Sequence, residues 1–252
     1  MKRSNEPGTP PETPQQSAKK PKQAPTATHY RTIPNGIHFS KVRGLDFTPT
    51  TTPPISSLSL LELVSRLNPT ASIHFNYCID PSWLLQQYPF RCRQSPITLV
   101  VGPDQAGQLR AQCERSFPNV TVTAARMPFP YGTHHSKLSL FESSDALHVV
   151  ISTANLVESD WDRKTQAFYY WRAPTAMKGG QGSGGAAAEP GPKFQSELIE
   201  YLTLAYPSGS SAHKSVGAWV EKLRGGGDFT GCSDRLVWSY PARHVSVSGD
   251  GF

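Results

Sequence analysis

Pro96-Ile97-Thr98-Leu99-Val100-Val101-Gly102, followed by residues Gln105 to Arg115 and then Val120-Thr121-Val122-Thr123-Ala124, is the stretch whose pattern sets the fold class. The first segment is a continuous apolar run ending in glycine, as in a strand buried on both faces. The second segment is expected to be helical and the third to be the next strand. Strands alternating with helices predict an α/β domain with a substantially parallel or mixed sheet.

On the N-terminal side, Ala71-Ser72-Ile73-His74-Phe75-Asn76-Tyr77 alternates at period two and reads as a strand. Ser57 to Leu67 reads as a helix opening at a serine cap, with an acidic residue in its early turns, packed against the sheet. Asp80 to Tyr88 reads as a short helix with Asp at the cap and Pro81 at its first position. Further back, apolar and polar groups alternate from Ile33 to Phe47, and Thr48 to Pro54 is a Thr/Pro linker unsuited to a central strand.

On the C-terminal side, Lys137 to Phe141 and Leu147 to Thr153 are expected strands. Residues 178–193 have the Gly-rich composition of a flexible surface loop. Phe194 to Leu202 and Ala218 to Leu223 each show a helical apolar face, the second closed by Gly225-Gly226-Gly227. Arg235 to Tyr240 is the last expected strand.

With 252 residues and 37% hydrophobic content, the chain can bury a real core. It contains no run of about 18 apolar residues, and its first residues lack the apolar segment of a secretory signal, so a soluble intracellular protein is expected. Cys78, Cys92, Cys113 and Cys232 are too widely and irregularly spaced for a paired zinc signature, and are expected to be reduced, partly buried thiols.

The net charge of +6 is uneven: residues 1–28 hold five Lys/Arg against two Glu. This stretch is rich in Pro, Gln, Thr and Lys without apolar periodicity, and is expected to be a disordered basic tail, with the folded domain spanning residues 29–252. Within the tail, Lys19-Lys20-Pro21-Lys22, with Lys2-Arg3 upstream, resembles a nuclear-import signal and predicts a nuclear protein; a merely solubilising tail is the other reading.

Chemistry concentrates at His135-Ser136-Lys137, which heads the apolar run Leu138-Ser139-Leu140-Phe141. In extended chain, residues i and i+2 point to the same side about 6.6 Å apart, so imidazole and ammonium can reach one phosphate. A phosphodiester repels nucleophiles through its anionic oxygens, so its cleavage needs a nucleophile, positive charge on the phosphate and a proton donor for the leaving group. A neutral imidazole can attack phosphorus, and an ordinary pKa of about 6.5 makes that form common at pH 7. Lys137 would neutralise phosphate oxygens. Asn155, 20 residues after His135, could donate its amide to the same phosphate, and Gln166, 11 further on, could orient an imidazole. Each signal alone also fits a structural residue; their arrangement carries the specificity.

Gly132-Thr133-His134-His135-Ser136-Lys137, Ser152-Thr153-Ala154-Asn155-Leu156 and Asp160-Trp161-Asp162-Arg163-Lys164-Thr165-Gln166 together resemble the first catalytic motif of the tyrosyl-DNA phosphodiesterase 1 family, in the phospholipase D superfamily. Asn76-Tyr77-Cys78-Ile79-Asp80, Trp83, Gln87-Tyr88-Pro89 and Phe194 to Leu202 are also similar, so the resemblance runs from about Ile55 to Tyr206. It implies a phospholipase D-like half-domain, a mixed β-sheet flanked by helices, acting in DNA repair. By that resemblance His135 is the nucleophile that displaces a topoisomerase-derived tyrosine from a DNA 3′-phosphate. Lys137 and Asn155 bind the phosphate, and Gln166 supports a catalytic imidazole. Tyr131 falls where the family carries an aromatic suited to stacking on an exposed base, with packing as its alternative role. The implied chemistry uses no metal or cofactor. The implied partners are DNA with a blocked 3′ end, single- or double-stranded, and a topoisomerase I-derived peptide, with no membrane.

Two departures qualify this. The lipase branch of the superfamily carries Asp five residues after the Lys; this chain has Glu142 there, read as a surface residue. The family also builds its site from two halves, and the second histidine is the general acid and then the general base. One His-x-Lys is present in this sequence. The expectation is therefore a truncated N-terminal half, inactive alone, whose exposed docking surface favours self-association. The alternatives are a homodimer building one site from two copies, and a non-catalytic DNA-end-binding protein.

Overall fold

A computed structural model of the chain describes residues 32–45, 57–175 and 193–240. The strands are β1 (Gly36–Ser40), β2 (Ser57–Leu58), β3 (Ala71–Phe75), β4 (Ile97–Val101), β5 (Val120–Ala124), β6 (Leu138–Glu142), β7 (Ala146–Ser152) and β8 (Ala167–Pro174). They form one sheet in the order β2-β1-β8-β7-β6-β3-β4-β5. Pairing is parallel along β3-β4-β5 and between β1 and β2, and antiparallel from β3 through β6, β7 and β8 to β1. The sheet is mixed, as the sequence pattern predicts.

The helices are α1 (Leu60–Leu67), α2 (Pro81–Gln86), α3 (Pro103–Ser116), α4 (Glu158–Asp162), α5 (Lys193–Ala205) and α6 (His213–Gly225). Ser59 opens α1 with a capping box: its hydroxyl accepts from the Glu62 N–H, and the Glu62 carboxylate accepts from the Ser59 N–H at 2.9 Å. Asp80 caps α2 from its side chain, with Pro81 at the first helical position.

Period-two alternation divides the strand side chains between two apolar layers. Ile97, Leu99 and Val101 of β4 and Phe141 of β6 belong to the cluster built with α1, α2 and α3. Val100, Leu138 and Leu140 point to the opposite layer, built with α5 and α6. Helices cover both faces, which is why β4 reads as an unbroken apolar run.

Several expectations are adjusted. Ser57 and Leu58 form a short strand, and the helix begins only after the Ser59 cap. Arg235 to Tyr240 is not a strand: no ladder partner reaches it, and the Leu236 N–H is taken instead by the Glu197 carboxylate at 2.7 Å. β8 falls where periodicity does not declare a strand, because Phe168 and Tyr170 are buried on one side while Tyr169 and Trp171 pack on the other. The basic tail (1–28), the Thr48–Pro54 linker and, apart from Lys193 at the start of α5, the 178–193 loop lie outside the described residues.

Candidate active site

The sheet register gathers the predicted residues at one edge. Phe75 at the end of β3 pairs with Leu138 at the start of β6, Leu138 pairs with Ile151 near the end of β7, and Ser152 pairs with Phe168 near the start of β8. Because these neighbours run antiparallel, the loops after β3 and β7 and those before β6 and β8 emerge side by side. The Ser152 N–H donates to the Lys137 carbonyl at 2.9 Å, extending the ladder one step beyond β6. The loops are also tied together: the Leu156 N–H donates to Cys78 O, and the Asp80 N–H to Leu156 O, both at 3.0 Å.

His135 is exposed on this edge. Its ring lies 5.1 Å from the Tyr77 ring, and the Lys137 ammonium sits 3.3 Å from its Nδ1 and 3.4 Å from its Nε2. The imidazole and ammonium do share one side, although residues 135–137 precede β6 instead of lying within it. Partial burial lowers the Lys137 pKa, opposed by the fields of Asp160 and Cys78. The neighbouring His134 is different: it is 7% exposed, its Nε2 meets the Tyr206 hydroxyl at 2.8 Å, and burial pushes its pKa down to about 4, keeping it neutral at physiological pH. Of the two adjacent histidines, His135 is exposed and His134 is buried.

Asn155 follows β7. Its backbone N–H and its side-chain Nδ2 both donate to Asp160 Oδ2 at 2.9 Å, while its Oδ1 is buried without a hydrogen bond. Asp160, on α4, is 5% exposed and also accepts from Lys164 at 2.6 Å. Burial pushes the Asp160 carboxyl up, but the hydrogen bonds from Lys164 and from both groups of Asn155 outweigh it and hold the pKa below the usual carboxylate range. Gln166 is half-buried; its backbone exchanges hydrogen bonds with Ser40, and its Oε1 accepts from the Thr153 hydroxyl, so it is joined to the β7 end and not to His135. Tyr131 is fully exposed, with its backbone at φ +64°.

A groove of about 570 Å³ adjoins the histidine, lined among others by Arg126, Thr133, His134, Tyr201 and Tyr240. Glu142 lies at the opposite end of β6 from Lys137 and pairs with Lys222, half-exposed. It takes no part in this edge.

The tyrosyl-DNA phosphodiesterase family model matches residues 37–251. The chain belongs to the tyrosyl-DNA phosphodiesterase family. It is 36% identical over 213 residues to a probable tyrosyl-DNA phosphodiesterase of Caenorhabditis elegans, covering 84% of this chain and 43% of the relative. It is 29% identical to tyrosyl-DNA phosphodiesterase 1 of Drosophila melanogaster, covering 82% and 34%. The solved yeast tyrosyl-DNA phosphodiesterase shares the fold, with a TM-score of 0.51 at 19% identity, over 77% of this chain and 42% of that one. The chain thus spans less than half the length of these relatives.

His135, Lys137 and Asn155 gather at the edge, Gln166 is tied to the adjacent strand end, and Tyr131 stands clear in solvent. The sequence reading assigned no role to Tyr77, His134, Asp160, Tyr201 or Tyr206. Asp160 carried a signal in its spacing, five residues after Asn155, but an acidic residue in a short polar helix ordinarily marks solvent.

Proposed function

We propose that this chain supplies the nucleophile half of a DNA-repair phosphodiesterase that hydrolyses the 3′-phosphotyrosyl bond left between DNA and a topoisomerase-derived peptide. A ring nitrogen of His135 attacks phosphorus, an N–P bond forms, and the P–O bond to tyrosine breaks. The leaving phenolate takes a proton from a general acid. Water, deprotonated by the conjugate base, then displaces His135 and leaves a DNA 3′-phosphate. Lys137 and Asn155 hold the phosphate oxygens, and Lys137 offsets the growing negative charge. Gln166 orients an imidazole of the completed site. Tyr131 stacks on a base near the cleavage point.

The observation that carries this reading is the exposed His135 ring with the Lys137 ammonium 3.3 Å away, on the edge where Asn155 also emerges. Residues 2–22 would act as a nuclear-import tail, and nuclear DNA is the expected partner. The general acid comes from a second His-x-Lys set, supplied with this one in the completed site. Incubating the chain with a 3′-phosphotyrosyl oligonucleotide should trap a phosphohistidine at His135, by mass spectrometry, and His135→Ala should abolish it. Binding without adduct or turnover would point to DNA-end recognition instead, and adduct surviving in His135→Ala would refute the assigned nucleophile.

A further inference from the structure

We infer that Asp160 is a positioning residue that locks the donor end of the Asn155 amide, an inference that rests on the reading of Asn155 and Lys137 as phosphate-binding groups. One carboxylate oxygen, Oδ2, receives both the backbone N–H and the side-chain Nδ2 of Asn155 at 2.9 Å, while Oδ1 receives Lys164 at 2.6 Å. A carboxylate accepts and cannot donate, so an Asn155 amide turned by 180° would press its Oδ1 against Asp160. The bond therefore selects one of two otherwise near-equivalent orientations. It occupies one Nδ2 hydrogen and leaves the second for a phosphate oxygen.

The alternatives for Asp160 fit less well. A merely structural carboxylate in α4 would point to solvent or to the helix's own N–H groups, but this one is 5% exposed and turned to the loop after β7. A pure charge partner for Lys164 would not need the two Asn155 bonds.

The test uses the full chain, with inorganic phosphate as the probe and the Asn155 side-chain amide followed by NMR. In the wild type, one Nδ2 proton should be shifted downfield and protected from exchange. Two ordinary, fast-exchanging protons would overturn the inference without any variant. Asp160→Asn, of the same size, should collapse that difference and weaken phosphate binding by about tenfold. In an Asn155→Ala background the same change should add little, because the two act through one path. An equal loss in both backgrounds would overturn the positioning role. If Asn155→Ala leaves phosphate binding unchanged, the phosphate-site reading fails, while the Nδ2 protons still decide whether Asp160 orients the amide.

Discussion

The Tyr206 hydroxyl meets the His134 imidazole at 2.8 Å in the buried layer beneath the loop that carries His135. On the other side of His135, Ser136 meets the Tyr201 hydroxyl at 2.6 Å, and Tyr201 packs edge-on against Tyr206. The nucleophile candidate thus projects from between two residues that α5 and the turn after it hold from below.

Tyr206→Phe keeps the ring that packs against Phe75 but strands a buried imidazole nitrogen. We expect a loss of about 1–3 kcal/mol, read from urea unfolding. The phosphohistidine yield should fall as well, because the loop loses an anchor. An unchanged unfolding midpoint would mean that the bond holds nothing in place.

Stability should decline in mild acid. Burial brings the pKa of His134 and of His148 down to about 4 and that of His74 to about 3. In the unfolded chain the value is about 6.5, so as pH falls the unfolded state takes up protons first. The stabilisation is complete above pH 6.5 and is lost as pH drops toward 4, at about 1.4 kcal/mol per pH unit for each site. Thermal midpoints at pH 7.5 and pH 5 check this; equal values at the two would contradict it.

Glu142→Gln breaks a half-exposed pair with Lys222. The cost should stay within about 1 kcal/mol, as for other solvated ion pairs. Adduct formation at His135 should be unaffected, since Glu142 sits at the far end of β6. A large loss of adduct would assign this position the role that the lipase branch gives to its acid.

Tyr131→Ala removes a side chain that touches solvent on all sides, so the unfolding midpoint should hold. Affinity for a single-stranded 3′ end should fall by about 1–3 kcal/mol, the worth of one base stacked on an aromatic ring. Unchanged affinity in a fluorescence-anisotropy titration would remove Tyr131 from the DNA path.

Period-two runs, the Asp80 cap and the glycine after β4 were readable in the sequence, because each depends on neighbours a few residues away. So was the placing of His135 and Lys137 on one side of the chain, because residues i and i+2 of an extended segment share a side. Tertiary structure decided what depends on distant partners. It buried His134 and exposed His135, and denied Arg235 to Tyr240 the neighbouring strand that a ladder needs. It paired β6 with β3 and β7 in the register that brings Tyr77, Lys137 and Asn155 to one edge. It also turned the Asp160 carboxylate inward onto Asn155. Burial and long-range pairing are properties of the whole packed chain, so identical local patterns acquire different roles according to what folds against them.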